Sequence, residues 1–241
     1  MDISVIERVA KEVVQEFSEG FDKKLAAKME HSMIRPDATP AMVKQFCEEA
    51  IKYGFRNVSL PPCFVDMAAS FLRETGVRVS TAVGFPMGIS TTRIKIAEAL
   101  DAIQNGAAEI DLPVNIGMVK AKEYKSIKAE LDEILAAVKG KAVLKVVVDL
   151  GALNEEESIK VATIAKLAGA DFLKIAATTR PKGINAEDMA FFRQVVGQEM
   201  GLKADGGIKD YKSAISVIEA GGTTIGASGS VKIVTGFVIT N

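Results

Sequence analysis

Short β-branched or apolar runs alternate with longer amphipathic segments eight times along this chain, and that recurrence limits the possible folds more than any other feature. The runs are Lys28–Ile34, Asn57–Leu60, Arg78–Phe85, Ala108–Val114, Ala142–Asp149, Asp171–Ala176, Gly201–Ala204 and Thr223–Ala227. Helical patterns lie between them, among them Thr91–Asn105, Ala121–Lys139 and Asn154–Leu167. The last opens on Asn154 with Glu157 three residues on, the spacing of a capping box. Gly106, Gly169 and Gly221 stand where helices stop, and glycine permits the left-handed turn that ends a helix. Eight such units in 241 residues, near the ~250 typical of the architecture, predict an α/β fold, a single (β/α)8 TIM barrel. A doubly wound open sheet is the competing topology, but the Gly-x-Gly-x-x-Gly fingerprint of a dinucleotide fold is missing after the first run. Residues 1–24 read as an extra N-terminal helix, with Val5, Val9, Val13 and Phe17 at helical spacing, able to plug the bottom of the barrel. No linker or low-complexity segment interrupts residues 1–241, so one domain is expected.

Charge and cysteine content exclude several functions. The net charge is -1 and basic residues are dispersed, which suggests neither a nucleic-acid surface nor a polybasic membrane patch. No apolar run approaches the ~20 residues of a membrane span. Met1-Asp2-Ile3-Ser4 lacks the basic-then-apolar order of a secretion signal, so a cytoplasmic protein is expected. Cys47 and Cys63 form neither a disulfide framework nor a metal spacing, and His31 is the one histidine, which excludes a multi-histidine metal site. A homo-oligomer is compatible with the chain, because an apolar stripe on an outer helix reads the same whether it faces a core or a second subunit.

A barrel of this kind gathers its active site at the carboxyl ends of the strands. Lys174 lies there in an otherwise apolar run, Asp111 ends the fourth run, and Lys203 lies on the seventh. Lys145 and Asp149 share one parity on the fifth and can both point inward. Strands four and six are alternates in the barrel, so Asp111 and Lys174 can face each other across the lumen. At the unperturbed pKa of roughly 10.4, about one lysine in ~2,500 is neutral at pH 7, and lowering that pKa by ~3 units takes about 4 kcal/mol. Burial and the neighbouring Lys203 ammonium are expected to depress Lys174 in this way, making it a nucleophile, with Asp111 relaying protons. Two lysines and a carboxylate suit a Schiff-base aldolase; the competing reading is a buried Asp111–Lys203 ion pair that only ties strands together. Gly206 and Gly207 follow the seventh run, and Ser228, Gly229 and Ser230 follow the eighth, where barrels often bind phosphate through backbone amides. Thr178 and Arg180, after the sixth, are further candidate substrate contacts.

Specific stretches carry a family resemblance: Arg35-Pro36-Asp37-Ala38-Thr39-Pro40, Pro62-Cys63-Phe64-Val65, Gly84-Phe85-Pro86-Met87-Gly88, Gly106-Ala107-Ala108-Glu109-Ile110-Asp111, Asn115-Ile116-Gly117, Ala168-Gly169-Ala170-Asp171-Phe172-Leu173-Lys174 and Gly206-Gly207-Ile208. In order and spacing, residues 28–235 resemble the deoxyribose-phosphate aldolase family, class I aldolases on a (β/α)8 barrel. The resemblance implies that Lys174 is the Schiff-base lysine, Lys203 the second lysine and Asp111 the proton-relay carboxylate, with no metal or organic cofactor. It also implies reversible cleavage of 2-deoxy-D-ribose 5-phosphate to D-glyceraldehyde 3-phosphate and acetaldehyde, the partner being an aldehyde or sugar phosphate.

Departures from the family pattern cluster at the strand ends. Ile175-Ala176-Ala177-Thr178 replaces the usual Thr-Ser-Thr-Gly, and Asp205 replaces a small residue, setting a negative charge beside the phosphate loop unless Arg180, Lys182 or Lys209 offsets it. Glu30-His31-Ser32 replaces Asp-His-Thr, and Asp149 replaces a glutamate. His31 reads as a packing or hydrogen-bonding residue rather than a base. Two further aldolase readings follow, a different sugar phosphate or an unphosphorylated aldehyde or ketone. Outside aldolase chemistry stand a barrel enzyme using Lys174 and Asp111 as an acid/base pair without an imine, and a non-catalytic sugar-phosphate binder.

Overall fold

In the computed structural model, which describes residues 4–6, 8, 9 and 20–236, eight parallel strands pair in sequence order and the last closes on the first. They are β1 Met29–Ser32, β2 Asn57–Ser59, β3 Arg78–Ala82, β4 Glu109–Pro113, β5 Val143–Asp149, β6 Phe172–Ala176, β7 Gly201–Asp205 and β8 Thr224–Ala227. The helices are α1 Lys23–Ala26, α2 Pro40–Tyr53, α3 Val65–Leu72, α4 Thr92–Gln104, α5 Ile116–Lys120, α6 Tyr124–Val138, α7 Glu155–Ala168, α8 Ala186–Val196, α9 Tyr211–Glu219 and α10 Ser230–Thr235. The predicted TIM barrel is therefore what forms.

Local chemistry explains the boundaries. The capping box expected at α7 is present, with Asn154 accepting from the Glu157 amide and Glu157 reaching back, and Gly169 ends the helix at φ 85°. The helix expected over Ala121–Lys139 forms as α6 and starts three residues later, because Ala121 caps α5 and Lys122 turns left-handed at φ 60° without a glycine to mark it. β7 runs one residue further than expected and takes in Asp205. Val5 and Val9 of the expected N-terminal plug are exposed, while Val13, Phe17 and everything beyond Gly236 lie outside the described residues.

Every strand sorts its side chains by period two. Val58, Val79, Ile110, Leu144, Val146, Leu173, Ile175, Leu202 and Ile225 are buried in the layer shared with the helices, where Ile127, Leu131 and Ile134 of α6 and Val161 and Ala165 of α7 join the same core. Each large aliphatic buried this way contributes about 1.5–3 kcal/mol relative to exposure. Among the residues between them a polar set points into the lumen, Glu30, Ser80, Glu109, Asp111, Lys145, Lys174 and Lys203, joined across it by hydrogen bonds and ion pairs. A slip of one residue would drive lysines into the helix layer, so the alternation fixes the register.

Two close approaches shape the ends of the lumen. At the bottom, Gly201 leaves room for the Phe172 ring, which a Cβ at 201 would meet at 2.4 Å, and Arg56 lies 5.4 Å over that ring. At the top, Gly207 (φ 83°) lies against Gly183, whose Cα a Cβ at 207 would meet at 2.3 Å, and the Ile184 amide donates to the Gly206 carbonyl at 3.0 Å. The loop after β6 is thereby seated on the loop after β7.

Candidate active site

Strand register sets the chemistry. Lys174 and Lys203 are Cα partners on β6 and β7, and Asp111 partners Lys145 on β4 and β5. The Lys174 Nζ donates to Asp111 Oδ2 at 2.8 Å and lies 2.7 Å from Asp205 Oδ2. Asp111 Oδ2 also accepts from Lys203 at 3.0 Å, and its Oδ1 is 3.2 Å from Lys145. Deeper down, Glu30 bridges Lys203 and Lys145, the latter at 2.6 Å. Glu109 on the floor takes Arg56 at 2.7 Å, Lys145 at 2.8 Å and Arg78 at 3.0 Å. Arg56, Arg78, Lys145, Lys174 and Lys203 thus face Glu30, Glu109, Asp111 and Asp205, one cation in excess. A lysine that gives up its proton leaves a charge-balanced network.

Access decides which lysine that is. A cavity of about 730 Å³ opens over the carboxyl ends of the strands, and Lys174, Asp111 and Asp205 line it while Lys203 and Lys145 do not. Among the described residues Lys174 is the one lumen lysine whose amine a substrate can reach. Met33, Phe85, Pro113 and Val114 give the cavity an apolar lining; a second wall is made by Gly206, Gly207, Ser228 and Gly229, and Lys209 and Lys232 also line the cavity. That second wall offers backbone amides, and the two lysines offer ammonium groups, to an anion.

The expected depression of Lys174 is not what forms. Burial and Lys203 push its pKa down, but the Asp111 and Asp205 carboxylates outweigh them, and the group is held above the ordinary lysine value. Lys203 is raised well above it, because burial is overridden by Asp111, Glu30 and Asp205. On the acid side, burial opposes ionisation of Glu30, yet Lys145 and Lys203 hold its pKa down to about 2. Asp111 is likewise held well below the usual range against burial by Lys145, Lys174 and Lys203.

These carboxylates make acid stability a reporter of the lumen. Glu30 falls from 4.5 to about 2 on folding, so its contribution, on the order of 3 kcal/mol, is fully present above pH ~4.5 and lost as pH falls toward 2. Urea midpoints are expected to drop steeply across that window, and a flat profile there would contradict the lumen ion pairs.

Several expected site residues stand elsewhere. Gly206, Gly207, Ser228, Gly229 and Thr178 line the cavity, but the Thr178 amide and hydroxyl donate to Asp149, which also accepts from the Gly151 amide at 2.8 Å. Arg180 does not reach the cavity; its Nη1 donates to both oxygens of Asp188 at 2.8 Å, the residue that completes the α8 capping box. Ser230 is buried, and its hydroxyl donates to the Ala227 carbonyl at 2.9 Å, tying the loop rather than facing substrate. Asp205, expected beside a phosphate loop, points into the lysine pair because it shares the parity of Lys203 on β7. Lys232, absent from the expected set, was signalled only by its place two residues after Ser230. His31 behaves as read: it is buried, stacked on Phe46 at 4.0 Å and bonded to Glu49 at 2.8 Å.

Comparison with known proteins agrees with this layout. A family model described as DeoC/LacD family aldolase matches residues 21–238. The deoxyribose-phosphate aldolase of Caldanaerobacter subterraneus subsp. tengcongensis is 46% identical over 212 residues, covering 87% of this chain and 92% of that protein. The one from Enterococcus faecalis is 41% identical over 208 residues, 86% of this chain and 94% of that protein. Among solved structures, "QR15, an Aldolase" superposes with a TM-score of 0.82 at 32% identity, covering 87% of this chain and 93% of that one. The tetrameric deoxyribose phosphate aldolase from Aeropyrum pernix gives a TM-score of 0.80 at 25% identity, covering 91% and 92%.

Proposed function

The chain belongs to the DeoC/LacD aldolase family, and from that premise we propose that it reversibly cleaves 2-deoxy-D-ribose 5-phosphate to D-glyceraldehyde 3-phosphate and acetaldehyde through an imine on Lys174. It is an aldehyde-lyase. The observation that carries the reading is that, of the lumen lysines, Lys174 alone lines the cavity while touching Asp111.

The reaction follows from the charge arrangement. Lys174 loses its proton to solvent by way of water beside the ionised Asp111, and the free amine attacks the aldehyde carbon of the open-chain sugar. The carbonyl oxygen becomes a hydroxyl and leaves as water, and nitrogen keeps a positive charge in the protonated imine. Loss of the C3 hydroxyl proton then breaks the C2–C3 bond; its electron pair passes to the iminium as an enamine, and glyceraldehyde 3-phosphate departs. Protonation at C2 and hydrolysis release acetaldehyde and restore the lysine. Asp111 relays these protons through water. Lys203 keeps Asp111 ionised and placed, and the phosphate is held by the Gly206–Gly207 and Ser228–Gly229 loops with Lys209 and Lys232.

A second reading, a different sugar phosphate or an unphosphorylated aldehyde or ketone handled by the same residues, is favoured by Thr178 and Arg180 being engaged by Asp149 and Asp188. Coupled assays of glyceraldehyde 3-phosphate release from 2-deoxyribose 5-phosphate, run beside acetaldehyde release from 2-deoxyribose, separate the two. The first reading requires a kcat/KM at least about tenfold higher for the phosphorylated sugar, the worth of one charge-assisted contact. Equal values favour the second, and no turnover of either sinks the first.

A further inference from the structure

We propose that Asp205 is a positioning residue that controls the charge of Lys174: it clasps the ammonium in the free enzyme and the iminium that later replaces it, and so determines the pH at which turnover begins. The inference rests on the reading of Lys174 as the imine-forming lysine.

Geometry carries it. Asp205 Oδ2 is 2.7 Å from Lys174 Nζ and 3.5 Å from Lys203 Nζ, so Lys174 is its main partner. Gly226 makes the arrangement possible, since a Cβ there would lie 2.7 Å from Asp205 Oδ2 and 3.0 Å from Lys203 Cε. The other carboxylates facing the lysines are already shared. Asp111 on β4 serves Lys174, Lys203 and Lys145, and Glu30 on β1 serves Lys203 and Lys145. Lys203 on β7 and Lys145 on β5 add positive charge, as do Arg35, Lys209 and Lys232 on the cavity wall, while Asp149 faces Thr178. Without Asp205, Lys174 keeps one divided carboxylate and a repelling neighbour. With its side chain 25% exposed, Asp205 is also the most open carboxylate of the cluster, next to the point where the carbonyl arrives.

The chemical consequence is specific. Attack needs the neutral amine: the C–N bond forms, the carbonyl oxygen takes a proton and leaves as water, and nitrogen is positive again in the imine. Asp205 stabilises both cationic ends and disfavours the neutral amine between them. It therefore limits attack at neutral pH while holding the iminium once formed.

The test is competitive labelling of Lys174 by trace acetic anhydride, which acylates only neutral amines, read by peptide mass across neutral to alkaline pH. Wild type is compared with Asp205→Asn and Asp205→Ser, each shown to be folded by circular dichroism. Removing a carboxylate at contact distance is expected to lower the labelling midpoint by about 1–3 pH units, with the acid limb of kcat/KM moving alongside. A merely structural role leaves the limb in place. An unmoved midpoint in either folded variant overturns the proposal. Borohydride trapping of wild type with acetaldehyde runs in parallel: no adduct on Lys174 defeats the imine reading itself, whereas an adduct with an unmoved midpoint defeats only the role of Asp205.

Discussion

Lys174→Arg is expected to lower kcat/KM for 2-deoxyribose 5-phosphate by roughly four orders of magnitude or more while the barrel stays folded. Arginine preserves the positive charge that Asp111 and Asp205 face, so the ion pairs at 2.8 and 2.7 Å have a substitute and the balance of the cluster is kept. What is lost is a nitrogen that can become a neutral nucleophile, because a guanidinium is not deprotonated in proteins. The comparison isolates covalent chemistry from electrostatics in a way that Lys174→Met, which leaves two carboxylates without their partner, does not. Coupled assay of glyceraldehyde 3-phosphate release reads the effect. Activity within tenfold of wild type would mean that the amine is not the nucleophile and would favour an acid/base enzyme working without an imine.

Asp111→Asn is expected to reduce kcat by about 10²–10⁴-fold, the range for a positioned proton-transfer group. It also carries a stability cost, because the buried Asp111 faces three ammonium groups, Lys174 at 2.8 Å, Lys203 at 3.0 Å and Lys145 at 3.2 Å. Removing one partner of a buried pair typically costs about 3–5 kcal/mol, so the urea midpoint should fall as well. Rates measured well below the lowered melting point separate the two effects. With attack slowed for want of a proton acceptor, borohydride-trapped adduct should accumulate more slowly in single turnover than in wild type. A kcat within threefold of wild type would show that protons leave by another route.

The legible part of the fold was its period. Glu109-Ile110-Asp111, Lys145-Val146 and Lys203-Ala204-Asp205 alternate charge with apolar side chains, and in a barrel that pattern has one solution, charge inward and aliphatic outward. Lys174, Lys203 and Asp111 could be placed from their strand-end positions in the expected barrel together with the family resemblance, and the structure brings their amines and carboxylate into contact. The sign of the Lys174 shift was not legible, because it depends on counting every carboxylate across the lumen. Asp205 stood one residue past the expected strand end, next to two glycines, and read as a loop residue. Arg180 read as free because its partner, Asp188, lies in the next helix and is fixed there by a capping interaction. The break at Lys122 carried no glycine or proline to announce it.

The central claim is a covalent imine on one lysine, and trapping tests it most directly. The protein is incubated with 2-deoxyribose 5-phosphate or acetaldehyde, reduced with borohydride, digested and mapped by mass. The account predicts a single modification on the peptide carrying Lys174, an ethyl group when acetaldehyde is used, with Lys203 and Lys145 unmodified because they do not line the cavity. Turnover of 2-deoxyribose 5-phosphate with Lys174 unmodified, or an adduct on Lys203 instead, would contradict it.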